Sequence, residues 1–211
     1  MGKAFASPKR LDLLDLLTQG ERTVEGLARE SGIGMTTVSA HLQILKMSNL
    51  VSTRREGTRI FYRVAGEDVL TLYAAMQEVA QEHSADVERA LQSYLGGAGL
   101  DDVEQVTREE LLERLAEDSV VLLDVRPVEE YAAGHIPGAR SLPFGEIASA
   151  DAEEFLAGLG GREVVAYCRG AWCVMAHDAV RLLRAGGSQA RRLEDGMLEW
   201  RTHGHPVEVA S

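Results

Sequence analysis

Cysteine is scarce in this 211-residue chain: there are two, Cys168 and Cys173, both within the stretch VVAYCRGAWCVMA, residues 164–176. That scarcity excludes the disulfide framework of a small secreted domain. It also leaves too few thiolates for a four-cysteine zinc site, and no histidine stands at ligand spacing inside the stretch. No apolar run approaches the length of a membrane span, and the opening MGKAFASPKRLDLL lacks the apolar stretch of a signal peptide. Low-complexity runs are missing too. We therefore expect a protein without a membrane partner, made and kept in the cytoplasm, where thiols stay reduced. There a permanent staple fits the pair less well than a reactive or redox-active role.

What is present is unevenly distributed. The formal net charge is −11, which by itself argues against a polyanionic partner. Residues 1–65 nevertheless carry ten Lys/Arg against six Asp/Glu, whereas residues 98–211 carry eleven against twenty-one. Such asymmetry in a chain long enough for two cores implies two modules with different partners.

In the first module, PKRLDLLDLLTQG opens with Pro8 after Ser7, a suitable N-cap, repeats leucine at 11, 13, 14, 16 and 17, and stops at Gly20. A short helix with Val24, Leu27 and Ala28 inward then ends at Gly32. A second, starting near Thr36 or Thr37, turns Val38, Leu42 and Leu45 inward. Two short helices around a glycine-containing turn read as a helix-turn-helix. The second helix leaves Thr36, Thr37, Ser39, Ala40, Gln43 and Lys46 outward, small or hydrogen-bonding side chains that suit a major groove. VSTRREGTRIFYRVA then alternates as two strands around a turn at Glu56-Gly57 and carries Arg54, Arg55, Arg59 and Arg63, a basic wing fit for phosphates.

Together ASPKRLDLLDLL, LARESGIGMTTVSAHLQILKMSNLV and the wing resemble the ArsR/SmtB winged-helix repressors over roughly residues 4–95. The resemblance implies a homodimer that binds a near-palindromic operator in double-stranded DNA and releases it on an inducer. It does not extend to the thiolate metal site of some members, because the helix before the recognition helix offers Thr23 and Glu25 where they place cysteines. After the wing, Val69, Tyr73, Met76, Ala80, His83, Val87, Ala90 and Tyr94 recur in steps of four and three. This stripe predicts one long helix pairing with its copy. His83 then serves either as an interface residue or, with Asp86, as a metal ligand; we expect the former and assign no metal.

GGAGLDDVEQV reads as a flexible joint, giving a division into residues 1–95, a linker 96–104 and a second module 105–211. In that module strands alternate with helices, which means an α/β domain with a largely parallel sheet, chemistry collecting at the carboxyl ends of its strands. The whole is thus a two-domain chain: an α+β winged helix-turn-helix, mostly α, followed by α/β. Cys168 falls between a buried strand and a helix, in a loop whose N–H groups and following helix favour an anionic sulfur. Arg169 is expected to add a cation.

This second module resembles rhodanese across about residues 104–210, through LLDVRPVEEYAAGHIPGARSLP, YCRGAWC and LEDGMLEWRTHGHPV. The resemblance implies a cysteine persulfide on Cys168, cradled by the amides of Arg169, Gly170, Ala171, Trp172 and Cys173, with no cofactor. The partners it implies are a sulfane-sulfur donor (thiosulfate, polysulfide or persulfide) and a thiol acceptor. Asp124 and Arg126 fall in the signature strand as scaffold. Phosphatases and arsenate reductases of the same fold place an arginine six positions after the cysteine; here that position is Val174. Cys173 reads as the residue that resolves or captures the persulfide, or as an inert residue at a helix start, and His203 and His205 as a weak HxH pair. We expect a regulator coupling sulfur or redox state to operator binding. Its rivals are a sulfurtransferase with an accessory DNA-binding domain, and a sensor of arsenite or another thiophile.

Overall fold

A computed structural model describes residues 2–94 and 103–210. The chain forms two compact units, Met1–Ala75 and Met76–Ser211.

The first unit runs α1 (Gly2–Phe5), α2 (Pro8–Thr18), α3 (Val24–Ser31), α4 (Met35–Met47), β1 (Val51–Glu56) and β2 (Arg59–Val64), and α5 (Glu67–His83) follows. Ser7 is the N-cap of α2 with Pro8 in the first turn, and Gly32 ends α3 with a left-handed φ of 68°. Leu13, Leu14, Leu27, Val38, Leu42 and Leu45 are fully buried, each stabilising the unit by about 1.5–3 kcal/mol on the area scale. The helix-turn-helix expected from their spacing is therefore present. The hairpin turn lies one residue later than expected, at Gly57-Thr58, with Glu56 paired to Arg59. Gly57 has φ 60°, the positive value that a two-residue hairpin turn asks of its first central residue.

The long helix expected after the wing is broken. α5 ends at His83 and α6 spans Ala85–Tyr94, separated by Ser84, a residue type that favours helix starts over interiors. Val69 and Tyr73 of the expected stripe are buried in the first unit, where the Tyr73 hydroxyl meets the Leu11 carbonyl and Asp15 at 3.4 and 3.3 Å. Ala80, His83 and Ala90 are exposed, as are Leu72 and Val79, and Met76 is half-buried. The side chains of Val87 and Tyr94 lie outside the described residues.

The second unit contains β3 (Gln105–Val106), α7 (Arg108–Ala116), β4 (Val120–Asp124), α8 (Val128–Ala133), β5 (Arg140–Ser141), a 3-10 turn (Phe144–Glu146), α9 (Ala150–Ala157), β6 (Glu163–Tyr167), α10 (Val174–Ala185), β7 (Ala190–Leu193) and α11 (Met197–Thr202). Its sheet has the order β3-β7-β6-β4-β5 and is parallel throughout. Alternate residues of each central strand feed two cores. Val121, Leu123, Val164 and Ala166 pack with Ala176, Ala179 and Val180 of α10, and Val120, Leu122, Val165 and Tyr167 with Leu111, Met197 and Trp200. Continuous apolar strands are what a sheet covered on both faces requires. Of the expected linker, residues 96–102 lie outside the described residues. Val103 is buried in the first of these cores, and the Glu104 carbonyl accepts the Arg192 amide at 3.1 Å.

Candidate functional site

Cys168 follows the buried end of β6 and continues the row Val164, Ala166, Cys168 on the face beneath α10. The pleat thus fixes its burial, 1% exposed. Residues 169–173 then turn back. The Cys173 amide donates to the Gly170 carbonyl at 3.0 Å, and Cys173 becomes the N-cap of α10. The two sulfurs are bonded, with their Cα atoms 6.0 Å apart, inside the usual reach of a disulfide.

The loop is gripped from below by β7 and α11. The Met197 and Leu198 amides, first-turn donors of α11, bond the carbonyls of Cys168 and Arg169 at 2.9 Å each. A helix start ordinarily leaves such donors without partners. Gly196 stands against the loop: a Cβ there would collide with the Gly170 backbone and lie 2.7 Å from the Cys168 carbonyl oxygen. Glu199 Oε2 accepts from the Gly196 and Ala171 amides at 2.9 and 3.2 Å. Burial pushes the Glu199 carboxyl up, partly offset by its backbone hydrogen bonds. The buried Arg192 donates to the Ala171 carbonyl at 3.1 Å, and burial pushes its guanidinium down.

Two expectations about this loop change. Arg169 faces Glu130, fully buried, with Nη2 2.6 Å from Oε1 and Nε about equidistant from both oxygens at 3.1 and 3.0 Å. Its charge is thereby matched by a carboxylate and is not an isolated cation for the sulfur. The amides of Ala171 and Cys173 are engaged with Glu199 and Gly170, so in this bonded state they do not point at a sulfur anion. Gly170 and Trp172 complete the loop.

Asp124 and Arg126, both fully buried, hold the neighbouring strand end. Arg126 Nη2 donates to Asp124 at 2.6 Å and to the Gly134 carbonyl at 2.7 Å, while the Tyr167 hydroxyl donates to Asp124 and accepts from the Ile136 amide at 3.1 Å. Burial and the adjacent Asp124 charge push the Tyr167 phenol well up. This network fixes the residue before Cys168. His203 and His205 do not act together: His203 Nδ1 lies 2.7 Å from the Glu199 carbonyl, and His205 packs on the Trp200 ring. His83 stands beside Glu82, and Asp86 pairs with Arg89.

In the first unit, Thr36, Thr37, Ala40, Gln43 and Lys46 are exposed along α4 and Ser39 is half-buried. Lys46 Nζ reaches the Thr53 hydroxyl at 3.2 Å, tying the end of α4 to the wing. Arg55 and Arg59 are exposed on the hairpin. Arg54 differs from them. It pairs with Glu21, donates to Glu56 at 2.6 Å and lies over the Phe61 ring at 4.7 Å. The adjoining backbone repeats that link, since Arg22 and Tyr62 exchange amide hydrogen bonds at 2.9 and 2.8 Å. Arg54 is thus a strut holding the wing to the chain before α3.

Sequence reasoning missed Glu130, Arg192, Glu199 and Glu21. Only Glu199 left a local signal, as the third residue after Gly196 in a capping arrangement.

Comparison with known proteins bears on both units. Residues 7–53 match the model of the bacterial regulatory proteins of the arsR family, and residues 107–203 that of the rhodanese-like domain. The HTH-type transcriptional regulator Rv0324 of Mycobacterium tuberculosis is 54% identical over 208 residues, 99% of this chain and 88% of that protein. The nodulation protein NolR of Rhizobium meliloti is 38% identical over 85 residues, 40% of this chain and 70% of its own length. Among solved structures, the homodimeric winged helix-turn-helix DNA-binding domain Mb0332 of Mycobacterium bovis is 56% identical, covering 40% of this chain and 79% of its own, with a TM-score of 0.39.

Proposed function

The chain belongs to the ArsR family of bacterial regulatory proteins, as a transcriptional regulator carrying a rhodanese-like domain, and on that premise we propose that the sulfur state of Cys168 sets its affinity for operator DNA. In this reading residues 1–95 bind DNA and dimerise, 96–104 connect, and 105–211 handle sulfur. One observation carries it: the only two cysteines of the chain meet at the carboxyl end of a buried parallel strand and the start of α10.

The chemistry balances without a cofactor. The Cys168 thiolate attacks the outer sulfur of a persulfide R–S–SH, forming Cys168–S–SH and releasing R–S⁻. The Cys173 thiolate then attacks Cys168 Sγ, forming the disulfide and expelling HS⁻. The 6.0 Å Cα separation supports that second step. For the DNA module, exposure of Thr36, Thr37, Ala40, Gln43 and Lys46 on α4, and of Arg55 and Arg59, supports a groove-reading helix flanked by phosphate contacts. Exposed Leu72 and Val79, one heptad apart on α5, support two-fold pairing.

The test is binding to the DNA upstream of the chain's own gene, with protein reduced, treated with polysulfide, and carrying Cys168→Ser. A shift in wild type that is lost in the variant is expected. Binding indifferent to the thiols would leave the regulator's signal elsewhere, and brisk sulfur turnover in that case would favour the sulfurtransferase reading.

A further inference from the structure

The two bonded cysteines are unequally accessible. Cys168 is 1% exposed and belongs to the core with Val125, Leu142, Ala176 and Ala179. Its carbonyl is held by the Met197 amide at 2.9 Å, and Gly196 packs directly against it, so exposing its sulfur means moving backbone. Cys173 is half-buried, packed against the same core, and is the N-cap of α10. Thiol–disulfide exchange needs a thiolate to reach one sulfur in line with the bond, and access decides which sulfur is attacked.

From this asymmetry we propose that thiolates from solution open the Cys168–Cys173 bond by attack on Cys173 Sγ, making Cys173 the site where the oxidised chain takes up a mixed disulfide or a persulfide. The inference rests on the reading that the loop cycles through its disulfide, and it adds the direction of the return step. An attacking R–S⁻ forms a bond to Cys173 Sγ. The bond between the two Sγ atoms breaks, and its electron pair leaves on Cys168. The products are R–S–S–Cys173 and a Cys168 thiolate: the incoming sulfur is oxidised and Cys168 reduced. With hydrosulfide as attacker the product is Cys173–S–SH.

Cys173 is the N-cap of a twelve-residue helix and Cys168 is bonded to it, so the helix's positive end favours a thiolate on either sulfur and does not oppose departure on Cys168. Access therefore sets the direction. Loading and return then use different sulfurs. The reduced chain takes sulfane sulfur on Cys168, and the oxidised chain meets solution thiols at Cys173.

The sequence provides a clean assay, because trypsin cuts after Arg162, Arg169 and Arg181 and separates Cys168 (peptide 163–169) from Cys173 (peptide 170–181). The full chain, oxidised with diamide and freed of it, is mixed with glutathione or, separately, with sodium hydrosulfide. Aliquots are acid-quenched from milliseconds to minutes, capped with N-ethylmaleimide and mapped by mass. The expected early product carries the adduct on 170–181 and maleimide on 163–169, in roughly tenfold excess or more over the reverse pattern. An adduct on 163–169, equal amounts on both, or a disulfide that opens with no adduct trapped on 170–181 overturns the proposal. So does a chain in which diamide forms no Cys168–Cys173 bond. The assay contains no DNA, so failure of the operator response and failure of this inference are separately visible.

Discussion

Arg192 and Glu199 hold the same loop residue by opposite ends of its backbone: Arg192 donates to the Ala171 carbonyl at 3.1 Å, and Glu199 accepts the Ala171 amide at 3.2 Å. Ala171 lies midway between the two cysteines, so this clamp sets the curvature that brings their Cα atoms to 6.0 Å. Its parts are charged and largely buried, a costly arrangement unless the geometry repays it.

Removing the carboxylate should therefore loosen the loop. Glu199→Ala leaves the Ala171 and Gly196 amides without their acceptor, at about 1–3 kcal/mol for each donor left unsatisfied. Denaturant unfolding of the oxidised chain measures that loss. Closure of the disulfide should slow in the same variant. Unchanged closure kinetics would mean that the clamp stabilises the unit without shaping the loop.

Gly196→Ala should be more severe. The added methyl meets Gly170 and the Cys168 carbonyl, which are backbone and have no rotamer by which to yield. We expect a lower Tm and a disulfide that forms slowly or not at all. Wild-type behaviour on both counts would show that α11 can retreat from the loop.

How much of this was legible in the sequence depends on how far apart the partners lie. Leu27, Val38, Leu42 and Leu45 declare their helices because the period is local, and β4 and β6 declare themselves as apolar runs between turns. β3 and β5 hold two residues each, too few for any period to be seen. Arg54 and Arg169 read as free cations because Glu21 and Glu130, the carboxylates that tie them to other elements, stand 33 and 39 positions away. The break at Ser84 was hidden by a stripe that continues across it, and the burial of Val69 and Tyr73, with the Tyr73 hydroxyl on the Leu11 carbonyl of α2, shows that part of the stripe serves the first unit's own core.

The wing arginines should now separate by salt dependence. Arg55→Ala and Arg59→Ala each remove an exposed charge and should flatten the slope of log K against log salt by about 0.9 per lost phosphate contact. Arg54→Ala should weaken binding while leaving the slope nearly intact, because Arg54 is already paired with Glu21 and Glu56. Glu21→Gln should reproduce that pattern. A slope change in Arg54→Ala as large as in Arg59→Ala would return Arg54 to the phosphate-contacting set.

Acid sensitivity of the second unit should trace partly to Glu163. Hydrogen bonds from Arg191 and Arg114 hold its carboxyl below the ordinary 4.5, against the opposing effect of burial. A folded pKa below the unfolded one gives stability that is present above the unfolded value and lost as pH falls through the folded one. Glu163→Gln should thus be less stable near neutrality, yet lose less than wild type as pH falls through the ordinary carboxylate range and below it. Glu199, whose carboxyl is pushed up, has the opposite sign: its contribution is full below the ordinary carboxylate range and fades as pH rises through its raised value. Parallel acid curves for Glu163→Gln and wild type would remove Glu163 from the account.

If sulfur state sets operator affinity, operator DNA must in turn shift the sulfur state. Coupling between two sites is one free energy, and reciprocity is required of it for binding equilibria. A tenfold difference in operator affinity between the dithiol and the disulfide, counted per protomer, therefore implies a shift of about 30 mV in the two-electron midpoint of Cys168–Cys173 when saturating operator is present. The midpoint can be read by alkylation in a series of thiol–disulfide buffers, with operator and with a scrambled duplex of equal length. The form that binds more tightly is the one the operator should favour, so the sign of the shift states whether oxidation releases or strengthens binding without any measurement of transcription. Equal midpoints with both duplexes would show that the two units share a chain but no equilibrium, and the sulfur chemistry would then have to be explained as an activity in its own right.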